Sequence, residues 1–241
     1  MTVVNDHSLK TGLQQRLAQV EERIQAACTR AGRPRGDVTL VAVTKTISAE
    51  AAALLPPLGV VDLGESRPQE LWRKAPLLPA TVRWHLVGHL QRNKIERTLP
   101  LVCLLHSVDS LRLLTALDQE AGKQARQVDA LLEVNASRET NKHGFAPEEV
   151  PGLAPQIAAL QHVHVSGLMT MAAFEDDPER CRPTFALVRQ LRDRLQGQLP
   201  EAHRLEHLSM GMTNDFEVAI EEGATLVRIG TALFEKVGAS D

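Results

Sequence analysis

Eight short apolar runs, each followed by a segment with helical patterning, repeat along this 241-residue chain, and that alternation leaves few architectures open. The first run, Thr39-Leu-Val-Ala-Val43, is aliphatic and β-branched without polar alternation, which is the signature of a strand covered on both faces. Similar runs fall at 60–63, 82–87, 102–108, 129–134, 164–169, 204–208 and 225–229. Helical patterns lie between or after them at 48–55, 68–74, 92–99, 111–123, 147–160, 183–195 and 215–222. A strand that returns to its sheet through a helix runs parallel to its predecessor, and eight such units suit a closed (β/α)8 TIM barrel, with a doubly wound open sheet as the other candidate. An extra amphipathic helix over 8–31, with Ser8 placed to cap it, precedes the first strand. No Gly/Pro/Ser-rich linker and no internal repeat interrupts the pattern, so a single α/β domain over 1–235 and a frayed tail over 236–241 are expected.

Composition removes several function classes. The net charge of −3 is spread over mixed segments and gives no footprint for nucleic acid or an anionic membrane. Tyrosine is absent, which excludes any mechanism that needs a phenolic acid or base from this chain. Cys28, Cys103 and Cys181 are odd in number and widely spaced, so a reducing setting fits better than a disulfide framework, and no metal-ligand spacing is present. The amino terminus has no signal-peptide pattern and no apolar run reaches membrane-spanning length. A soluble, cytoplasmic protein is expected.

In a barrel, function gathers at the carboxyl ends of the strands. There this chain places Lys45, Gly64-Glu-Ser-Arg67, His85, His106 to Asp109, Asn135, Met169, Ser209-Met-Gly-Met-Thr213 and Gly230-Thr231. Lys45 shares a strand face with Val41 and Val43. An amine at the rim of an apolar interior has reason to lose its proton and act as a nucleophile; the alternative is a polar residue ending a strand. Ser209-Met-Gly-Met-Thr-Asn214 and Gly230-Thr231 have the glycines and hydroxyls of an anion cradle, at the two loops where barrels commonly bind phosphate, with Thr213 or Asn214 capping the next helix. Arg228 interrupts a run that should be buried and needs a partner, either a carboxylate or a ligand at the barrel mouth.

These segments resemble a known family. Val43-Thr-Lys45, Gly64-Glu65, Trp84-His-Leu-Val-Gly-His-Leu-Gln-Arg-Asn-Lys94, His106-Ser-Val-Asp109, Asn135-Ala-Ser-Arg-Glu-Thr-Asn-Lys-His-Gly144, Gly167-Leu-Met169, Leu208-Ser-Met-Gly-Met-Thr-Asn-Asp-Phe-Glu217 and Val227-Arg-Ile-Gly-Thr-Ala-Leu-Phe234 look like those of pyridoxal-phosphate homeostasis proteins. Departures are Ser66, where such proteins usually have asparagine, and Glu235, where they usually have glycine.

The resemblance implies a fold like the N-terminal domain of alanine racemases and pyridoxal 5′-phosphate (PLP) held as a Schiff base on Lys45. It further implies that Ser209, Met210, Gly211, Gly230 and Thr231 carry the phosphate and that Arg228 faces the pyridine nitrogen. His85, Asn135 and Met169 complete the expected cofactor-binding set, with no catalytic residue and no metal. The implied role is storage, buffering or delivery of PLP in vitamin B6 homeostasis, to apo PLP-dependent enzymes, by a monomer or weak homodimer with little or no catalysis. Two enzyme readings stand beside it: a racemase-like PLP enzyme using His85 or Lys142 as acid/base, and a colourless Schiff-base aldolase. Glu65, Ser66, Asp109, Glu139 and Lys142 have no assigned role.

Overall fold

The computed structural model describes residues 2–139, 143–200 and 203–234, without the side chains of 2–8. Lys142, Glu235 and the tail at 236–241 therefore lie outside the described residues. Eight parallel strands close into a barrel in chain order: β1 (Thr39–Val43), β2 (Asp62–Glu65), β3 (Arg83–Leu86), β4 (Leu104–Val108), β5 (Val128–Glu133), β6 (Val163–Met169), β7 (His207–Ser209) and β8 (Leu226–Ile229). Closure is made by β1 against β8, from Thr39 opposite Leu226 to Ala42 opposite Ile229. The open-sheet alternative is thereby excluded.

Helices α1 (Thr2–Arg30), α2 (Ala49–Ala52), α3 (Pro68–Lys74), α4 (Ile95–Thr98), α5 (Leu111–Lys123), α6 (Ala154–Ala158), α7 (Arg182–Gln196), α8 (Phe216–Glu221) and α9 (Thr231–Phe234) surround it. Strand alternation divides the apolar residues into two layers. Leu40, Ala42, Leu105 and Leu132 face outward into one large core shared with the helices. Val41, Leu104, Leu131, Met169 and Leu226 face inward and fill the barrel axis. The extra helix α1 lies on the outside beside α8, where Arg23 pairs with Glu217 at 2.7 Å and Arg30 pairs with Glu221 at 2.6 Å. Leu13, Leu17, Val20, Ile24, Ala27 and Cys28 of α1 are buried in the outer core.

Several boundaries differ from the sequence reading for identifiable reasons. Helix α1 begins at Thr2, so Ser8 lies within it instead of capping it. The expected helix over 147–160 is split into a 3₁₀ turn and the short α6, because Pro151 and Pro155 each remove a backbone donor. Strand β7 starts at His207, not at 204. The Leu205 N–H bonds the Gln196 side chain at 2.7 Å and the His203 carbonyl accepts from the same amide, so this stretch is tied to α7 and not to the sheet. Between β5 and β6 the register slips at Ser166: Ala130 faces Val165, but Leu131 faces Gly167. This bulge turns Met169 into the barrel, whereas strict alternation from outward-facing Val165 would have turned it out. Among the described residues no helix is long and apolar enough to cross a membrane, and the three cysteines are unpaired.

Candidate functional site

Lys45 stands in the turn directly after β1, exposed at the carboxyl rim. The protein by itself leaves the side chain uncovered. The turn itself is firmly held. Thr44 is fully buried, its hydroxyl donates to Glu65 Oε1 at 2.6 Å, and its carbonyl accepts from Lys74 Nζ at 2.7 Å. Lys74 also donates to Glu65 Oε1 at 2.6 Å, completing an ion pair with no exposed side-chain surface on either partner. Glu65 is thus committed to Lys74, and its second oxygen, Oε2, is buried without a partner.

Arg228 enters the lumen from β8, 4% exposed, opposite Val41 of β1. Its partners within the protein are not the carboxylate named from sequence as one of two candidates. Nη1 donates to the carbonyl and hydroxyl oxygens of Ser209 at 2.7 and 2.6 Å, and Nη2 donates to the Thr170 carbonyl at 2.8 Å. No carboxylate lies within ion-pair distance of it among the described residues. A guanidinium has five N–H donors, so donors remain for an acceptor outside the protein. Burial pulls its pKa down to about 10, and the charges of Asp215 and Glu133 offset part of the effect.

Beyond Ser209 the polar contacts continue across the barrel. His106 Nδ1 lies 2.8 Å from Ser209 Oγ, His106 Nε2 lies 2.9 Å from His85 Nδ1, and His85 Nε2 lies 2.9 Å from Asp62 Oδ1. This geometry fixes the protein-internal partners of Ser209 and His85, both expected at the cofactor. The Ser209 hydroxyl is inside the lumen and already engaged by Arg228 and His106, while both ring nitrogens of His85 are used by Asp62 and His106 below the rim. His106, present in the sequence motif but outside the expected binding set, is the link between them.

In the two loops expected to cradle phosphate, the donors differ in availability. The Met210 side chain is in the outer core and its N–H bonds the Leu226 carbonyl at 3.1 Å. The Met212 N–H is taken by Asp215 Oδ1 at 2.6 Å; Asp215, and neither Thr213 nor Asn214, stands at the N-cap position of α8, without a side-chain capping bond. Asn214 instead donates to the Glu175 carbonyl at 2.8 Å. The N–H groups of Gly211, Gly230 and Thr231 have no acceptor among the described residues. Gly211 is required by conformation and by space: φ is +91°, and a Cβ would come within 2.6 Å of the Ala219 Cβ. At Gly230 a Cβ would stand 3.2 Å from the Val43 carbonyl, which keeps this loop against the end of β1 and hence near the Lys45 turn. The two loops are joined by Thr213 Oγ1, which accepts from the Ala232 N–H at 3.2 Å.

Met169, fully buried, is part of the apolar floor under the rim. Asn135 organises its own loop, its amide donating to the Glu139 carbonyl at 2.9 Å and its oxygen accepting from Ser137 at 3.4 Å. Asp109 does not cap α5; Ser110 does, accepting from the Leu113 N–H, while Asp109 meets His89 at 2.7 Å. His89 and His143 stack at 4.5 Å with planes 18° apart and share Asp109. Only His89 is within hydrogen-bond reach of Asp109; the His143 nitrogen stands 3.8 Å from the same carboxylate, and one nitrogen or oxygen from each of the three lies within 4.8 Å of the others. One residue was missed from sequence. Glu133 ends β5, is buried, and shares the inward face of Leu131; burial first, and then the charge of Asp109, raise its carboxyl to about 7. A lone carboxylate in the run Ala130-Leu-Leu-Glu-Val134 was the available signal.

The sequence matches the family described as Alanine racemase, N-terminal domain, over residues 15–236. A relative from Aquifex aeolicus named Pyridoxal phosphate homeostasis protein is 43% identical over 221 residues, covering 91% of this chain and 96% of its own. The structure of PipY from Synechococcus elongatus PCC7942 with PLP bound superposes with a TM-score of 0.78 at 34% identity, covering 92% of this chain and 99% of that one. An alanine racemase from Clostridium difficile shares the fold with a TM-score of 0.73 at 17% identity; the alignment covers 96% of this chain but 58% of the racemase.

Proposed function

Because the chain belongs to the alanine racemase N-terminal domain family and, by its relatives, to the pyridoxal phosphate homeostasis proteins, we propose that it binds PLP on Lys45 as a Schiff base and serves intracellular vitamin B6 homeostasis. The observation that carries this reading is the convergence of an exposed lysine on a rigid turn, three unpaired backbone donors in two linked loops, and a buried arginine with donors to spare at one barrel mouth. Gly211, Gly230 and Thr231 would receive the phosphate through backbone N–H groups, which suit an anion without demanding side-chain charge. Arg228 would donate to the pyridine nitrogen.

When bound, the group supplies an aldehyde and an electron-withdrawing ring. The protein restrains that second property, because arginine does not release a proton readily and an unprotonated pyridine withdraws electrons weakly. The chain has no tyrosine, and His85, the histidine considered as a racemase acid/base, is spent inside the barrel, which disfavours racemisation. Storage, buffering or delivery to apo PLP-dependent enzymes in the cytoplasm, by a monomer or weak homodimer, follows as the role, with little catalysis.

The test is the visible spectrum of the purified protein incubated with PLP, before and after borohydride, with peptide mapping of the fixed label. A violet-absorbing band abolished by borohydride, with label on Lys45, is expected. No band, or label scattered over surface lysines, would overturn the reading and leave a colourless aldolase or an inert lysine.

A further inference from the structure

The polar chain inside the barrel runs from Asp62 on β2 through His85 on β3 and His106 on β4, then spans the lumen to Ser209 on β7 and Arg228 on β8, with contacts of 2.9, 2.9, 2.8 and 2.6 Å. Asp62 retains 13% side-chain exposure at the amino-terminal end, while His85, His106, Ser209 and Arg228 are buried. The order of donors along it is determined. An ionised Asp62 only accepts, so His85 carries its proton on Nε2 and, when neutral, offers Nδ1 as an acceptor. His106 must then donate from Nε2, which leaves its Nδ1 to accept. The remaining donor facing that nitrogen is the Ser209 hydroxyl, whose oxygen is left to receive the Arg228 N–H. Every group is satisfied once, in one direction, and no other assignment of neutral histidines achieves this with Asp62 charged.

We propose that His106 and His85 are positioning residues for Arg228: His106 orients the hydroxyl of Ser209, which supports the guanidinium, and His85, oriented by Asp62, sets the tautomer of His106. This rests on the reading of Arg228 as the group that faces the cofactor ring. Adding one proton to the chain reverses it. His106 passes its Nε2 proton to His85 Nδ1 and takes up the added proton on Nδ1. It then donates to Ser209, whose hydroxyl hydrogen loses its acceptor in the chain. The groups that face His85 are Asp62, with Arg83 beside it, Cys103 and His106; those that act on His106 are His85, Arg228 and His207. Burial pushes His85 down, but Asp62 and Cys103 more than offset it and leave it above its ordinary value. Burial, with the charges of His85 and Arg228, holds His106 well below its own. The added proton is therefore stored on His85, beside the carboxylate.

The experiment is two-bond 1H–15N NMR of the histidines in the full chain without cofactor, from pH 8 downward, in wild type and in Asp62→Asn. His106 should carry its hydrogen on Nε2 at pH 8 and exchange it for Nδ1 as His85 charges. In Asp62→Asn that exchange should move down by about one pH unit, because the opposing charge is gone. The Arg228 Nη–H signals report the positioning directly: resolved in wild type, averaged in His106→Gln. In protein loaded with PLP and not treated with borohydride, PLP release should be roughly fivefold faster in His106→Gln, the equivalent of losing about one hydrogen bond, and unchanged in His164→Gln, which lies on the outer surface. A His106 hydrogen on Nδ1 at pH 8, or Arg228 signals indifferent to His106→Gln, would overturn the proposal. Failure of PLP to label Lys45 would overturn the cofactor reading instead, leaving the NMR results to judge the chain of contacts by themselves.

Discussion

Lys74 and Glu65 form a fully buried ion pair at 2.6 Å, and the same ammonium holds the carbonyl of Thr44, the residue before Lys45, at 2.7 Å. The lysine expected to carry the cofactor is exposed, yet the backbone from which it projects is fixed from below.

Removing one partner of this pair should be costly. Lys74→Met leaves the Glu65 carboxylate buried without its counter-charge and the Thr44 carbonyl without its donor, and a loss of about 3–5 kcal/mol is expected in urea unfolding. The double change Lys74→Met with Glu65→Gln should recover a large part of that loss, since no charge is then stranded. Equal instability of the two variants would show that packing around Lys74, and not its charge, matters.

Gly211→Ala should destabilise by about 2–4 kcal/mol, combining a left-handed backbone with a Cβ forced against Ala219 and Phe216. PLP binding should weaken as well, because the backbone shift needed to admit the Cβ moves the Gly211 N–H, one of the three unpaired loop donors. Thermal unfolding together with a PLP titration checks both.

Arg228→Lys should retain the positive charge but lose the fork that reaches Ser209 and Thr170 together. A buried carbonyl left unpaired costs about 1–3 kcal/mol, and PLP should be held roughly tenfold more weakly, since one ammonium cannot serve both acceptors and the ring. Fluorescence titration with PLP, alongside urea unfolding, measures the two effects separately.

Glu133 should give the protein a distinctive pH dependence. Its carboxyl is raised from an ordinary value of 4.5 to about 7 by burial, so between these values the folded state binds more protons than the unfolded state, and stability falls as pH rises. The contribution is fully present below the ordinary value and lost above about 7. Glu133→Gln should remove this slope and be more stable than wild type at pH 8 by roughly 2–3 kcal/mol. Because His85 contributes in the same direction, the difference between wild type and variant, not the wild-type curve, is the test. Parallel curves would refute the assignment.

The eight strands, the closed barrel and the location of Lys45, Gly211, Gly230 and Arg228 at its mouth were legible in the sequence, because each rests on local periodicity or on a glycine in a strand-to-helix turn. The helices Pro68–Lys74 and Leu111–Lys123 were read with the bounds they have. What could not be read locally was the partner of each buried polar group. Lys74, the basic residue that ends the helix over 68–74, is fully buried on Glu65, a pairing that nothing in either segment marks. Met169 needed the Ser166 bulge to face inward.

The sequence by itself determined that polar groups would end nearly every strand and that a lysine, two glycine loops and an arginine would share one rim. Only the tertiary structure decided which of them point at the mouth and which are spent beneath it. Ser209 and His106 are 103 residues apart and meet at 2.8 Å across the lumen. Closure of the barrel sets β4 and β7 facing one another, and no periodicity within either strand encodes that distance. Hydrogen-bond partners of buried groups are selected by this closure, because each must find an acceptor or donor inside the space the fold leaves it.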